Sequence, residues 1–182
     1  MNKKIGLIVG SLRKGSWNRK VAKVVQGLFP EGYDAEFIEI GDLPLFNEDF
    51  ERENREPESY GVFRKQIGEA DGFIFFTPEY NRSLPPAIKN AVDVGSRPVG
   101  KNQWDGKPAA VVSASIGGFG GMEANFALRQ NFIYTNMILL QQPEVYLSNV
   151  MNLFDDDGNM VQDTKDFLQK FVDAFVEHVE RF

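Results

Sequence analysis

The 182-residue chain predicts an α/β fold, a parallel sheet covered by helices on both faces. Three observations carry that prediction. Residues 5–9, 72–76 and 109–113 are almost wholly apolar, as strands buried on both faces require. Between them, apolar residues recur at three- and four-residue spacing, the mark of helices with one buried stripe. The two kinds of segment alternate along the chain, and strand–helix–strand units pair their strands in parallel.

The first strand is residues 5–9. Residues 19–28 follow as a helix, apolar at 21, 22, 24, 25 and 28. Phe37, Ile38 and Ile40 around Glu36 and Glu39 predict a second strand over 35–40. The stretch 41–58 is polar and broken by prolines, so a long surface loop is expected. Val62, Phe63 and Ile67 set the inner face of a helix over 59–69. The third strand, 72–76, stops at Thr77-Pro78, because proline lacks the N–H that a ladder needs. The pair Pro85-Pro86 opens a helix over 85–93. A loop over 95–106 leads to the fourth strand, 109–113, a helix over 122–134 and a fifth strand within 138–147. The last helix carries Phe167, Leu168, Phe171, Val172, Phe175, Val176 and Val179 on one stripe, with Thr164 near its N-cap. Five such strands fit a flavodoxin-like three-layer α/β/α sandwich of strand order 2-1-3-4-5, one domain over residues 1–182.

Composition narrows the function. A net charge of −6 argues against nucleic-acid or anionic-membrane partners. The absence of cysteine excludes disulfides, thiol relays and cysteine-ligated metals. No apolar run is long enough to span a membrane, and the run after the N-terminal lysines is too short for a secretory leader, so a cytoplasmic protein is expected. Asp155-Asp156-Asp157-Gly158-Asn159 has the composition of a calcium loop. However, Leu153 stands where the first ligand belongs and Thr164 where the closing Glu belongs, so an acidic turn is expected and no metal site. The only histidine, His178, reads as a solvated helix residue.

In a sheet of this order, ligands sit beyond the carboxyl ends of the strands, at the switch in strand order. The loops after strands 1, 3 and 4 should therefore carry the chemistry, and they hold the unusual residues. Loop one, 11–18, offers Ser11, Arg13, Ser16 and Asn18 ahead of a helix N-terminus, a combination suited to phosphate. It lacks the second glycine of G-x-G-x-x-G. Ser16-Trp17 replaces the Lys-Ser/Thr of a nucleoside-triphosphate loop, so a terminal monophosphate suits it better. The bland alternative is an ordinary βα loop with an N-cap near Asn18. Loop three, Thr77-Pro78-Glu79-Tyr80-Asn81, offers a rigid turn, an aromatic ring and an amide. Loop four, 113–121, offers glycines that let backbone approach a ligand, or else a flexible surface. A flat redox ring carrying one phosphate would use all three loops, and flavin mononucleotide (FMN) is such a ligand.

The segments GSLRKGSWNR, TPEYN with SLPPAIKNAVD, and SASIGGFGG with NFALRQ resemble the NADPH-dependent FMN reductase family, in its bacterial quinone, chromate and azo-dye reductase branch. The resemblance covers residues 4–147. It implies an enzyme that binds FMN, takes hydride from NADPH or NADH and passes electrons by a ping-pong mechanism to quinones, azo compounds, flavins or chromate. Carried over by position, Ser11, Arg13, Ser16 and Asn18 hold the phosphate. Pro78, Glu79, Tyr80 and Asn81 line the ring edge and ribityl chain, largely through backbone groups. Ser113, Ser115 and Gly117 border the other side. The cofactor carries the chemistry, so no catalytic side chain is expected. The family assembles as dimers or tetramers. Trp17 and Trp104 either flank the ring or anchor surface loops. Two other readings stand: an FMN electron carrier that does not use nicotinamide, as flavodoxins are, and a flavin-linked interaction protein.

Overall fold

The computed structural model describes residues 2–182; Met1, the first residue of the expected domain span, lies outside them. The elements in order are β1 (Lys3–Val9), α1 (Trp17–Gln26), β2 (Tyr33–Phe37), α2 (Glu48–Arg52), α3 (Glu58–Glu69), β3 (Gly72–Thr77), α4 (Pro86–Gly95), β4 (Pro108–Ala114), α5 (Met122–Thr135), β5 (Ile138–Leu139), β6 (Val145–Leu147), a 3₁₀ turn (Val150–Leu153) and α6 (Gln162–Val179). All strand pairings are parallel, in the order β2-β1-β3-β4-β5, with β6 also on β4. This is the flavodoxin-like arrangement the sequence predicts.

The central strands feed two cores by simple alternation. Ile5, Leu7 and Val9 of β1, Ile74 and Phe76 of β3, and Ala110, Val112 and Ala114 of β4 face one side, where α1 and α6 cover them. Ile8, Phe73, Phe75, Ala109 and Val111 face the other, under α3, α4 and α5. Every residue of β3 and β4 is buried, which is why both read as unbroken apolar runs. The stripe on α6 packs as expected: Leu168, Phe171, Val172, Phe175 and Val179 all enter the first core.

Four expectations are corrected. The fifth strand is two short ones, each paired to a different end of β4. Between them lies Pro143, which has no N–H to give the ladder. The 41–58 segment is not all loop. It contains α2, capped by Asn47 Oδ1 on Asp49 N–H at 3.0 Å and clamped by Arg97 Nη2 to Glu51 Oε2 at 2.8 Å. The helix α6 begins at Gln162, ahead of Thr164, because a Phe154–Met160 bridge and the Val161 N–H to Leu153 O bond already aim the chain. His178 is buried, not solvated, and its Nε2 lies 2.7 Å from the Ile138 carbonyl, tying α6 to β5. The acidic segment is the expected turn, with Asp155 Oδ1 accepting from Asn159 N–H at 2.7 Å. No helix among the described residues is long and apolar enough to cross a membrane.

Candidate functional site

The loops after β1, β3 and β4 leave the carboxyl edge of the sheet side by side. They enclose a pocket of about 250 Å³ lined by Ser11, Arg13, Trp17, Asn18, Pro78, Glu79, Tyr80 and Ser115 from the expected residues, and by Ala114, Ile116 and Val150. Of the remaining expected residues, Ser16, Asn81, Ser113 and Gly117 lie off this wall, each for a reason in the local structure.

Loop one begins where Gly10 N–H continues the ladder to Phe76 O at 2.8 Å. A Cβ at Gly10 would lie 2.5 Å from Ile88 Cδ1 and 2.7 Å from Pro85 Cγ, so only glycine lets the strand end pass so close to α4. The N-cap of α1 is Ser16, not Asn18: its buried Oγ accepts from Arg19 N–H at 3.2 Å. The N–H groups of Trp17 and Asn18 fall among the donors that a helix start leaves without intrahelical partners. Asn18 Nδ2 donates to Ala114 O at 3.1 Å, joining loop one to the end of β4. Its Oδ1 is buried and has no partner.

Loop three is a tight turn. Tyr80 and Ser83 exchange N–H to carbonyl bonds of 2.9 and 3.0 Å around Asn81 (φ 50°) and Arg82 (φ 65°), two left-handed residues as a type I′ turn requires. Asn81 therefore stands at the turn, exposed. The Arg82 guanidinium covers the Phe119 ring at 5.4 Å, linking the turn to loop four. Glu79 has a role the sequence does not announce. Its Oε2 accepts from Glu123 N–H at 3.1 Å and Ala124 N–H at 3.3 Å, capping α5 from another loop. The residue at the N-cap of α5, Gly121 at φ 77°, has no side chain to do so.

Loop four is held in place, contrary to a flexible glycine-rich surface. Ser115 N–H donates to Leu147 O, Val150 N–H to Ser115 O, Asn149 N–H to Gly117 O and Ser148 Oγ to Gly118 O, all between 2.8 and 3.1 Å. Gly117 N–H donates to Ser115 Oγ at 3.1 Å, so that hydroxyl orders the loop. Ser113 is fully buried and donates to Val145 O at 3.3 Å. Gly120 sits at φ 61°, and a Cβ there would lie 2.7 Å from the Tyr146 carbonyl carbon. Burial beside the Glu144 carboxylate pushes the Tyr146 phenol up to about 12.

The tryptophans separate. Trp17 lines the pocket, packed on Phe154 at 5.5 Å and covered by Lys20 Nζ at 4.2 Å. Trp104 does not line the pocket; it anchors the loop between α4 and β4 to the core. It is fully buried against Phe63, Phe73 and Phe75, and its Nε1 donates to Val92 O at 3.0 Å. Ala114, Ile116 and Val150 escaped the sequence reading as pocket residues. The first two adjoin expected positions; Val150 follows β6, a strand hidden by the break at Pro143.

On the outer side of loop one, Arg19 grips Glu39 with Nη1 to Oε2 at 3.0 Å and Nη2 to Oε1 at 2.5 Å. That bond holds the Glu39 carboxyl below its ordinary range and the Arg19 guanidinium above it. The three-loop pocket thus offers a cation, hydroxyls, a helix N-terminus and turn backbone. It contains no histidine, and the chain has no cysteine.

A family model described as NADPH-dependent FMN reductase matches residues 3–152. A quinone reductase of Pseudomonas putida is 49% identical over 176 residues, spanning 97% of this chain and 94% of the relative. A 2-hydroxy-1,4-benzoquinone reductase of a Burkholderia species is 40% identical over 177 residues, spanning 97% and 96%. Among solved structures, the flavoenzyme NAD(P)H:(acceptor) oxidoreductase FerB of Paracoccus denitrificans superposes with a TM-score of 0.91 at 39% identity, covering 98% of each chain.

Proposed function

The chain belongs to the NADPH-dependent FMN reductase family, and from that premise we propose that it is an FMN-dependent NAD(P)H oxidoreductase whose acceptor is a quinone. The observation that carries the reading is the convergence of eight expected residues on one pocket at the switch in strand order.

The residues fit the cofactor. Ser11, Arg13 and the first N–H groups of α1 would cradle the phosphate at a helix N-terminus, which Ser16 shapes as the N-cap. The orphaned Asn18 Oδ1 is an acceptor, so it suits a ribityl hydroxyl; one N–H of the same amide is held by Ala114 O, which fixes the side chain's orientation. Tyr80 N–H is spent on Ser83, which leaves the peptide N–H of Glu79 on the wall as a donor for a ring edge, with that of Asn81 at the turn beyond it. Ser115 and Gly117 would border the opposite side and Trp17 the phosphate end, while Ser113 would act from within β4 by fixing loop four to β6. FMN, when bound, supplies hydride acceptance and electron delivery. The chain's own work is to bind, orient and exclude water, and no catalytic side chain is assigned.

A pocket of about 250 Å³ is smaller than the roughly 300–1,000 Å³ usual for a cofactor site. Tyr80 and Ile116 on its wall, and Phe119, Met122 and Phe126 further along loop four and α5, are exposed. This supports self-association, as a dimer or tetramer, with the neighbouring subunit completing the wall over the ring. Electron transfer by a ping-pong route follows from one open face that coenzyme and acceptor must use in turn. Azo compounds, free flavins and chromate are further acceptors under this proposal, and the enzyme is cytoplasmic. Initial rates with NADPH and benzoquinone test it. Parallel double-reciprocal lines, and loss of FMN affinity in Arg13→Ala, are expected. Reduction of bound flavin by an artificial donor with no oxidation of NADPH or NADH would instead favour the electron-carrier reading.

A further inference from the structure

Charge is distributed unevenly along the chain. Residues 1–30 carry seven Lys or Arg and no Asp or Glu, whereas the remainder carries 13 against 26. Most of this excess gathers at one place. On the outer side of loop one lies a cleft of about 600 Å³, lined by Arg13, Lys14, Lys20 and Lys23, with Glu39 and Asp42 opposite. Ser16, Arg19, Lys20 and Lys23 follow the i, i+3, i+4, i+7 spacing of one helix face. Arg19 is neutralised by Glu39. Arg13, Lys14, Lys20 and Lys23 form no ion pair with any carboxylate among the described residues. Set against the single unpaired carboxylate of Asp42 on the same wall, these four cations leave a surplus of positive charge, and a cleft lined by one sign of charge concentrates anions.

The FMN phosphate does not account for all of them. A phosphomonoester carries about −1.5 to −2 charges, which Arg13 and the start of α1 already match. Lys20 and Lys23 lie further along the helix and do not line the three-loop pocket. The cleft nevertheless adjoins that pocket, because Ser11 and Arg13 belong to both walls. Its volume is that of a small-molecule site. A carboxylate beyond the second strand, which would repel a phosphate, is here tied down by Arg19. In dinucleotide sites of another α/β class, an acidic residue in the corresponding region takes the ribose hydroxyls of NAD, and an arginine the 2′-phosphate of NADP.

We propose that this cleft binds the 2′-phosphoadenosine end of NADPH, with Lys20 and Lys23 as the residues that select NADPH over NADH. The inference rests on the oxidoreductase reading above and names the coenzyme half of that site. One dinucleotide would reach across loop one, its redox end over the three-loop pocket and its phosphorylated adenosine beside α1.

The test is isothermal titration of the FMN-loaded protein with adenosine 2′,5′-bisphosphate, 5′-AMP and pyrophosphate, on the wild type and on the double variant Lys20→Gln with Lys23→Gln. Glutamine keeps an aliphatic stem over Trp17 while removing the charge. The bisphosphate should bind at least about tenfold more tightly than 5′-AMP, and more weakly as salt is raised. The double variant should lose about tenfold of that affinity, with FMN content and kcat on NADH unchanged. Equal affinity for the bisphosphate and 5′-AMP, equal affinity for pyrophosphate, or an unaffected double variant would each overturn the assignment. The two readings fail separately. A protein that takes up no FMN fails the oxidoreductase reading, whereas a yellow protein that oxidises NADH yet shows no preference for the 2′-phosphate fails only this one.

Discussion

Replacing Glu79 by alanine removes the side chain that caps the N-terminus of α5. Its carboxylate accepts two backbone N–H groups, Glu123 at 3.1 Å and Ala124 at 3.3 Å, at a helix end whose N-cap is a glycine. Loss of a capping side chain costs about 1 kcal/mol, within a range of about 0.5–2. Loss of a negative charge at the positive end of the helix adds about 0.3–1 kcal/mol, toward the lower figure here because Glu79 is only half-buried. Together these give about 1–2 kcal/mol, or roughly 2–8 °C in Tm for a chain of this size. Glu79→Gln keeps an acceptor oxygen and forfeits only the charge, so it should cost less than half as much. Urea denaturation with and without added FMN measures both variants, and hydrogen exchange at Glu123 and Ala124 localises the effect. An alanine variant within about 0.3 kcal/mol of the wild type, or a glutamine variant as damaged as the alanine one, would refute the cap as the source of the stability.

Three further outcomes follow from the same reasoning. Trp104→Ala empties a fully buried site beside three Phe rings and should cost about 3–5 kcal/mol by chemical denaturation; a loss below about 1 kcal/mol contradicts its burial. Gly120→Ala forces a left-handed alanine, at about 1–2 kcal/mol, and drives its methyl into the Tyr146 backbone, so loop four shifts and FMN affinity drops in a titration of stripped protein. Burial raises both Tyr33, which also donates to the Glu180 carboxylate, and Tyr146 to about 12, whereas an unfolded tyrosine titrates near 10. Between pH 10 and 12 the unfolded chain has released protons that the native state still holds, so stability falls as pH rises through that window. Thermal melts across the window should show the fall, and Tyr33→Phe should lessen it.

Much of the fold was legible because the inner stretches of β1, β3 and β4 are buried on both faces and are therefore mostly apolar. The misses share a cause. The helix α2 buries none of its residues, so it has no apolar period to read; it exists through the Asn47 cap and the Arg97–Glu51 pair, a contact 46 residues apart. The fifth strand was obscured by Pro143, which divides one position in the sheet between two short segments. At the site, the loops announced themselves by unusual residues after buried strands. Which polar atoms remain free did not. One N–H of the Asn18 amide is spent on Ala114, the Ser113 hydroxyl on Val145 and the Glu79 carboxylate on α5, and every one of those partners is distant in sequence. His178 shows the same limit, since the carbonyl that holds it belongs to Ile138, 40 residues away.

The most direct test of the central claim is the absorption spectrum of the purified protein, followed by heat release and mass determination of any yellow compound. FMN at one molecule per chain is expected, with stoichiometric uptake of added FMN by protein stripped of it. A colourless protein that also fails to take up added FMN would contradict the three-loop site as a flavin site.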